Sequence, residues 1–578
     1  MKEDSNSQNA ATSGTAKDGQ SQLKTGVNQT TITSFASPTL NKQWASDHTR
    51  AKAIHAAIGK MIDIDLQPYS VVEDNGFNEL LHLLEPRYKI PSRRFFADKI
   101  ITEMHKSITS RIKAHVAEAH AFAFTCDIRT CEYTTQSYIS VTSHWINEDF
   151  KRTHATLRCE AFDGRHTALN IADALQDPNQ EIIKACNKEI IKAWDIPVTK
   201  CPLVLRDNAA NMQKAMSEAG IPSVGCFAHT LQLCIHDSLF SQQSVSDMIA
   251  LARKTVGHFR HSSSAKSRLS ALQQEFGLPN HHLIKDVSTR WNSTYLMFDR
   301  LIEQKRAINI YVSETDGMQH IHAQRWTLME DVLKVLRPFE ELTREISAEN
   351  ACISTVLPAV MMSKCYIHNE TDGHGIKQMK TCLLKSLQDR FEGSEQNSNL
   401  VVATSLDPRY KAKIWGSETE QCRSKLLVQE AVSRLSESDQ GASAKPTTKA
   451  TEQHEEEQGP TVSTKRHCSG IWGGWDDLYR CNTEAVTLGA DAEMSAFFSE
   501  PLIPLREDPL LWWKTNKQRF PLLAKTAKVY LCAPPTSVPS ERLFSTAGDI
   551  RPHTRNRLSP VNAARLVFLK GNSFHVKG

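Results

Sequence analysis

The spacing of apolar residues separates helical regions of the chain from strand-like ones. In the N-terminal part, Ile54, Ile58 and Ile62 recur at the three- and four-residue spacing of an amphipathic helix. The segment LQPYSVVEDNGF interrupts this pattern, and Pro86 ends a second helical pattern before a third one begins. We therefore expect a helical N-terminal domain over residues 44–118.

After this region the hydrophobic period changes to that of β-strands. Four segments predict strands: AFAFTCD (121–127), QSYISVTSHWI (136–146), RTHATLRCEAF (152–162) and CPLVLRD (201–207). Helical patterns follow the third strand (HTALNIADALQ and QEIIKACNKEIIKAW) and the fourth (NAANMQKAMSEAG). This order predicts a mixed α/β layer over residues 119–225.

The rest of the chain is helical, polar or of low complexity. Residues 226–434 have an almost wholly helical pattern, and residues 469–578 contain three further helical stretches. Residues 1–43 and 435–468 are rich in polar residues, and we expect both segments to be disordered.

Composition limits the class of protein. The chain has 578 residues, of which 40% are hydrophobic and 23% charged, as in a globular protein with several domains. It has no run of 18 apolar residues and no apolar leader, so we expect no membrane association. The 14 cysteines are scattered, which favours reduced thiols over a disulfide framework.

Positive charge is concentrated near the C-terminus. Residues 501–578 contain 13 Lys and Arg against four Asp and Glu, whereas the whole chain has a net charge of only +4. Such a segment could bind phosphate groups, or it could be an ordinary solvated helical face.

Acidic residues end two of the predicted strands. If these strands are neighbours, Asp127 and Asp207 emerge at the same edge of the sheet, where their charges favour a cation between them. Mg²⁺ prefers such oxygen ligands, and Glu541, at the start of an apolar helix, would complete a two-metal site. The alternatives are that Asp207 caps the next helix and that Glu541 only complements a helix dipole.

Five sequence blocks occur in the order found in one known family. They are TCDIRT…YISVTSHWI, LVLRDNAANM, CFAHTLQL, STRWNSTY and PSERLFSTAG…RPHTRNRLSP. The chain resembles the hAT-superfamily DNA transposases, and among them the zinc finger BED domain-containing proteins derived from them. The resemblance extends from about Trp44 to Asn572.

This resemblance implies a fold and a set of site residues. The implied fold is α/β: an RNase H-like catalytic core, interrupted by a large all-helical insertion and followed by a C-terminal dimerisation region. Asp127, Asp207 and Glu541 match the three acids that hold Mg²⁺ or Mn²⁺ in the family, and the insertion accounts for the distance of Glu541 along the chain.

Two further motifs correspond to DNA-contacting elements of the family. Cys226 and His229 match its Cys-x-x-His element beside the active site; the alternative is a buried thiol and a hydrogen-bonded histidine. Arg290 and Trp291 lie in the motif whose Trp stacks on a displaced base, whereas without the resemblance Trp291 would be a core residue.

The dimer surface is expected to use apolar residues of the C-terminal region. These could equally form the core of one protomer. They are Trp512, Trp513, Phe520, Leu522, Leu523, Leu531, Leu543, Phe544, Leu566, Val567 and Leu569.

The chain departs from the family pattern in two places. Arg129 occupies the position of a Trp in the family's first motif, which puts the catalytic geometry in question. The Cys-x-x-Cys pair of a BED-type zinc finger does not occur, so zinc is not expected. A truncated copy, a partial gene model or a derivative retaining only the core would each explain this.

Three functions follow as hypotheses. The first is a transposase-derived nuclear protein that binds DNA, forms a homodimer or higher homo-oligomer and regulates transcription or chromatin. The second is an active transposase that cuts and joins DNA by a two-metal mechanism. The third is a protein-interaction scaffold that binds no DNA.

Overall fold

Five strands form one mixed sheet in the computed structural model. The structure describes residues 43–130, 137–162, 194, 203–218, 222–369, 375–440, 471–472, 490–550 and 558–573. The strands are β1 (Ala123–Thr130), β2 (Ser137–Ile146), β3 (Arg152–Phe162), β4 (Leu203–Arg206) and β5 (Ser223–Gly225). Their order in the sheet is β3-β2-β1-β4-β5.

The sheet combines antiparallel and parallel pairs. β1, β2 and β3 pair antiparallel, whereas β4 is parallel to β1 and β5 is parallel to β4. A register shift between Val141 and Thr142 of β2 marks a bulge opposite β3. The carboxyl ends of β1, β4 and β5 therefore point to the same edge.

Helices precede the sheet, as the N-terminal pattern predicts. They are α1 (Thr49–Ile64), α2 (Asn75–Leu84), α3 (Arg93–Phe95) and α4 (Ile101–Glu118), with a 3₁₀ turn at Tyr69–Glu73 and a π turn at Phe96–Ile100. α2 ends just before Pro86, and the Ser92 hydroxyl accepts the Phe95 amide at the start of α3.

One helix lies between β4 and β5, and ten more follow the sheet within residues 226–440. They are α5 (Ala210–Glu218), α6 (Phe227–Phe240), α7 (Gln243–His261), α8 (Ser263–Glu275), α9 (Trp291–Glu303), α10 (Lys305–Glu314), α11 (Ala323–Ile346), α12 (Val356–Asn369), α13 (Lys377–Arg390), α14 (Ser398–Leu406) and α15 (Glu418–Gln440). α15 continues beyond residue 434, into the segment expected to be disordered.

The described residues of the C-terminal part, 490–550 and 558–573, form five helices. They are α16 (Ala490–Ser499), α17 (Pro509–Asn516), α18 (Pro521–Tyr530), α19 (Val538–Ile550) and α20 (Pro560–Gly571). The mixed α/β class is thus confirmed. The two helices predicted within 163–193 lie outside the described residues, and the domain boundaries stay a prediction.

The sheet separates two hydrophobic clusters. Ala123 and Leu205 belong to the cluster formed with the helices of residues 226–440, whereas Phe122, Phe124 and Val204 belong to the cluster formed with the N-terminal helices. Because successive strand residues point to opposite faces, the two clusters lie on opposite sides of the sheet.

The C-terminal helices contribute to both clusters. Trp513, Phe520 and Leu523 pack in the first, and Phe544 and Leu566 in the second. Nothing among the described helices is long and apolar enough to cross a bilayer.

Candidate functional site

The sheet brings Asp127 and Asp207 to adjacent positions. Cys126 of β1 is paired with Arg206 of β4 in parallel register, so the two aspartates that follow these residues are neighbours. This confirms that the strands are adjacent, as their shared acidic ends suggested. The two carboxylates meet at the carboxyl edge of the parallel strands.

Helix α19 brings Glu541 to the same edge. Glu541 lies in the first turn of α19, and the preceding residue, Ser540, contacts Thr125 of β1 with 3.0 Å between the two hydroxyl oxygens. The charge of Glu541 acts on both Asp127 and Cys226. The fold therefore gathers the three predicted acids, although Glu541 is separated from the aspartates by the helices of residues 226–440.

Burial and repulsion make Asp127 a weak acid. Burial, together with the charges of Asp207 and then Glu541, raises the pKa of Asp127 to about 7. The Ile128 amide, which donates to Oδ1 at 2.9 Å, and the nearby Arg129 oppose this rise. At neutral pH the Asp127 carboxyl is thus divided between its neutral and charged forms.

Asp207 accepts a backbone hydrogen bond near the start of a helix and also interacts electrostatically with His229. Its Oδ1 accepts the Ala209 amide at 3.3 Å, close to the start of α5, as the helix-cap alternative requires. Burial raises the pKa of the Asp207 carboxyl, while the Ala209 amide, His229 and Arg206 oppose the rise. His229 therefore lies within electrostatic range of Asp207.

The donor chemistry of the two aspartates suits a divalent cation. Mg²⁺ commonly binds one or two protein carboxylates and completes its octahedron with water and phosphate oxygens. Asp127 and Asp207 meet that demand. However, no three His, Cys, Asp or Glu side chains in the described ranges are arranged to hold one ion. Glu541 as a third metal ligand therefore stays a prediction, and it requires the Glu541 carboxylate to come closer to the two aspartates than it does in this structure.

The Cys226–His229 pair has two different environments. Cys226 precedes α6, is fully buried, and its sulfur accepts the Ser537 amide at 3.3 Å. Burial raises the pKa of its thiol. His229, one turn later, is exposed. Cys226 thus fastens the segment before α19 to α6, and His229 is the member of the pair that a substrate could reach.

Gly225 allows the close packing beside Asp207. A Cβ at Gly225 would lie 2.1 Å from Oδ1 of Asn208. The Asn208 amide nitrogen is held by the Thr230 hydroxyl at 2.6 Å and the Cys226 carbonyl at 3.3 Å, so its side chain is not free to move away. A glycine is therefore required at this close approach.

The STRWN motif separates into an exposed and a buried residue. Arg290 is exposed, whereas Trp291 is 2% exposed and contacts Tyr295 edge-on. The Trp291 amide donates to Gln232 of α6 at 2.9 Å. In this structure Trp291 is a core residue, and stacking on a base, which stays a prediction, would require its ring to leave the core.

The residues expected at the dimer surface are mostly core residues. Trp513, Phe520, Leu523, Phe544 and Leu566 are all at most 4% exposed within one protomer. Of the wider set, Leu531, Leu543, Val567 and Leu569 are also buried, Trp512 is half-buried and Leu522 is 38% exposed. Within one protomer these side chains fill the two hydrophobic clusters, as the alternative of an intramolecular core requires, and a contact between copies through them stays a prediction.

A buried polar group behind the acids was not predicted. Oγ1 of Thr125 lies 3.2 Å from Nε2 of His144 and 3.0 Å from Oγ of Ser540, and all three residues are at most 2% exposed. Burial lowers the pKa of His144 well below its usual range, so its ring is neutral. The sequence signal was the polar stripe Ser140, Thr142 and His144 in a strand that is buried throughout.

We expect this group to couple α19 to β1. Thr125→Val leaves the Ser540 hydroxyl and the His144 ring without a buried partner and should lower the free energy of unfolding by about 1–3 kcal/mol. Ser540→Ala should have a similar effect. In a double-mutant cycle measured by urea unfolding, the double variant should cost much less than the sum of the two. Additive costs would contradict the coupling.

Two parts of the chain match known family models. Residues 224–335 match the ZBED1 RNase-like helical domain. Residues 493–573, which include Glu541, match the hAT family C-terminal dimerisation region. This chain is a hAT-family relative.

Full-length comparisons agree with the two hAT-family matches. The chain is 31% identical over 541 residues to zinc finger BED domain-containing protein 4 of Homo sapiens, covering 92% of this chain and 44% of that protein. It is 26% identical to zinc finger BED domain-containing protein 6 of Mus musculus, covering 91% of this chain and 56% of that protein. It is 23% identical to zinc finger BED domain-containing protein RICESLEEPER 2 of Oryza sativa, covering 85% of this chain and 70% of that protein.

The chain thus spans about half the length of the first two relatives. Within the shared part, Arg129 at the position of the family's Trp is exposed on β1. Its charge opposes the rise in the pKa of Asp127. Arg129 therefore acts on the Asp127 carboxyl through its exposed charge and does not fill a buried position.

Proposed function

We propose that this protein is a transposase-derived nuclear protein that binds DNA, dimerises through its C-terminal region and regulates transcription or chromatin. The observation that carries the proposal is the match of residues 493–573 to the hAT family C-terminal dimerisation region. The relatives named as zinc finger BED domain-containing proteins support the regulatory role and the nuclear location.

An RNase H-like core is part of this proposal. The strand order β3-β2-β1-β4-β5, with three antiparallel strands followed by two parallel ones, is compatible with such a core. Support also comes from the placement of the acids: Asp127 lies within β1, Asp207 directly follows β4, and Glu541 lies on a late helix. This core would provide a surface for DNA at the carboxyl edge of the parallel strands.

Dimerisation needs a surface that the protomer does not already bury. Within the matched C-terminal region, Leu511, Leu522 and Val561 are 62%, 38% and 60% exposed. Of the three, only Leu522 belongs to the set predicted from the sequence, and all three are our candidates for contact between copies because their side chains are exposed. The experiment is sedimentation velocity of the full chain over a concentration series. We expect a dimer, and a monomer at all concentrations would overturn this part of the proposal.

DNA binding depends on cations that the protein does not neutralise. In the basic C-terminal segment, Lys514 pairs with Asp149 at 3.3 Å and Lys528 with Glu148 at 2.9 Å. His229, in contrast, is exposed near Asp207, and Arg290 is exposed at the start of α9. We expect duplex affinity to fall steeply as salt rises. Absence of binding across the salt series would favour the protein-interaction scaffold instead.

An active transposase is the second candidate, and the convergence of the three acids favours it. A bound Mg²⁺ would activate the attacking water and stabilise the leaving oxygen. Within this chain, Asp127 and Asp207 would hold it, and the pKa of Asp127 requires loss of a proton on binding.

Cleavage of DNA carrying transposon ends separates the two candidates. Wild-type protein and Glu541→Gln should be compared with Mg²⁺ or Mn²⁺. Under the regulatory proposal neither protein nicks the DNA. Metal-dependent nicking by the wild type that falls at least about 100-fold in Glu541→Gln would establish the enzyme.

A further inference from the structure

A cavity of about 250 Å³ opens in the helical region, away from the carboxylates. It lies where the end of α7 meets α8 and the loop that follows α8. Phe259, Leu269 and Leu283 line it, and each is at most 5% exposed. Gln273 closes one side, because its amide nitrogen donates to the His281 carbonyl at 2.9 Å and to Gln304 at 3.0 Å. The Gln273 side chain, which lines the cavity, is therefore held in place by two hydrogen bonds.

Its rim carries cations that lack an acidic partner. Arg260, Lys266 and His282 line the cavity and are exposed, and within the described ranges none of the three forms an ion pair. Neighbouring cations differ: Arg268 is bonded to Glu314 through two nitrogens, and His281 is bonded to Glu303. Arg260 and Lys266 at the mouth of the cavity therefore carry positive charge that no ion pair in the described residues neutralises.

The chemistry of the rim selects an anion with several acceptor oxygens. Arginine and lysine present up to eight N–H donors between them, and a histidine ring donates in either protonation state. Phosphate matches such donors, and arginine binds it through two parallel hydrogen bonds.

The volume of the cavity indicates whether it encloses a whole small ligand or only one group of a larger ligand. Sites that enclose a small organic ligand usually measure about 300–1,000 Å³. A cavity of about 250 Å³ that is open to solvent accommodates one phosphate and its sugar more readily than a whole nucleotide.

The loop after the cavity leads toward the candidate site. His281, His282, Lys285 and Arg290 of this loop are exposed. Asp286, the only acid between Pro279 and Arg290, is bonded by Arg253 and by the Ser293 and Thr294 hydroxyls. The loop ends at Trp291, whose amide is bonded to α6, the helix that carries His229. A strip of basic side chains, formed by His282, Lys285 and Arg290, therefore follows this loop from the cavity to α6.

We propose that this cavity binds a backbone phosphate of the DNA, outside the segment that contacts the carboxylates. The inference rests on the proposed DNA-binding function and adds a second contact region to it. Arg260 and Lys266 each neutralise phosphate charge, and the strip from His282 to Arg290 fixes the path of the strand between the two regions. Because these contacts are to phosphate, they strengthen binding equally for every sequence.

The test is the salt dependence of duplex binding by Arg260→Gln/Lys266→Gln in the full chain. Each lost phosphate contact reduces the slope of log affinity against log salt concentration by about 0.9. We therefore expect the slope to fall by about 1–2, with the same loss of affinity on unrelated duplex sequences. Both side chains are exposed, and thermal melting should confirm that the variant is folded.

The matched control is Arg268→Gln/Lys305→Gln, which also removes one arginine and one lysine charge from the same helical region. Arg268 is bonded to Glu314 and Lys305 to Glu330, so neither cation is available to phosphate. The control should keep the wild-type slope. Equal slopes for the two double variants would overturn the inference while leaving DNA binding intact, whereas absence of wild-type binding would overturn both proposals.

A second arm identifies the source of the phosphate. Inorganic phosphate and a nucleoside monophosphate are titrated into the wild type by calorimetry. We expect neither to bind below millimolar concentration. Tight binding of either one that is lost in Arg260→Gln/Lys266→Gln, without any change in the DNA salt slope, would assign the cavity to a small ligand and refute the backbone contact.

Discussion

Replacing Trp513 by alanine should destabilise each protomer by about 3–5 kcal/mol. Trp513 has no exposed surface, packs against Phe497 with 5.2 Å between ring centroids, and donates its indole N–H to the Leu406 carbonyl at 3.0 Å. The variant would leave a large cavity and an unsatisfied buried carbonyl. Urea unfolding measures the loss, and it should be the same at low and high protein concentration because the contacts lie within one protomer.

Leu511 in the same helix is the control. It is 62% exposed, so Leu511→Ala should change the free energy of unfolding of a protomer by at most about 0.5 kcal/mol. If Leu511 contributes to the surface between copies, the Leu511→Ala dimer should dissociate at a higher protein concentration than the wild-type dimer does. A Trp513→Ala variant that folds normally but no longer self-associates would restore Trp513 to the dimer surface.

Replacing Asp127 by asparagine should stabilise the metal-free protein at pH 8 by about 2–4 kcal/mol. The buried carboxyl keeps its proton up to a pKa of about 7, whereas an unfolded aspartate releases it near 3.8. The folded state of the wild type thus binds this proton more tightly than the unfolded state does. The stability that protonated Asp127 contributes is present below about pH 4, is lost as the pH rises to about 7, and stays lost above that pH. Asparagine carries no charge and can still accept the Ile128 amide.

Unfolding of both proteins between pH 4 and pH 8 tests this sign. The two should be equally stable near pH 4 and diverge as pH rises. Asp63 also has a pKa raised by burial to about 7, so the wild type alone cannot isolate Asp127 and the difference between the two proteins is needed. Exposed Asp98→Asn is the control. An Asp127→Asn variant that is less stable than the wild type at pH 8 would mean that burial and the neighbouring charges do not raise the pKa of Asp127.

The two-residue spacing of hydrophobic residues predicted most strands of the sheet but not the residues at which they begin and end. The third predicted strand coincides with β3, because both its ends are marked by polar neighbours. β1 continues past Asp127 to Thr130, since Thr130 is still paired with Ser137 of β2. β5 has only three residues, too few for any alternation, and it exists because β4 offers it a parallel edge. Pairing partners remote in sequence thus set the strand ends.

The site was predictable in its acids and less so in its surroundings. Strand ends and one helix start suggested Asp127, Asp207 and Glu541, and the family resemblance made these three acids the expected set. Burial of Trp291 and Trp513 could not be inferred from their own segments, because it depends on helices that are distant in sequence. The Thr125–Ser540 contact joins residues 415 positions apart.

The division of the last helices between the two hydrophobic clusters affects how the protein can fold during synthesis. α16 to α18 complete one side of the sheet and α20 the other, so both sides stay open until the ribosome has made nearly the whole chain. Nascent protein would expose apolar surface on two faces for most of translation. We expect a strong dependence on chaperones, and a stop codon before residue 490 should yield aggregated product.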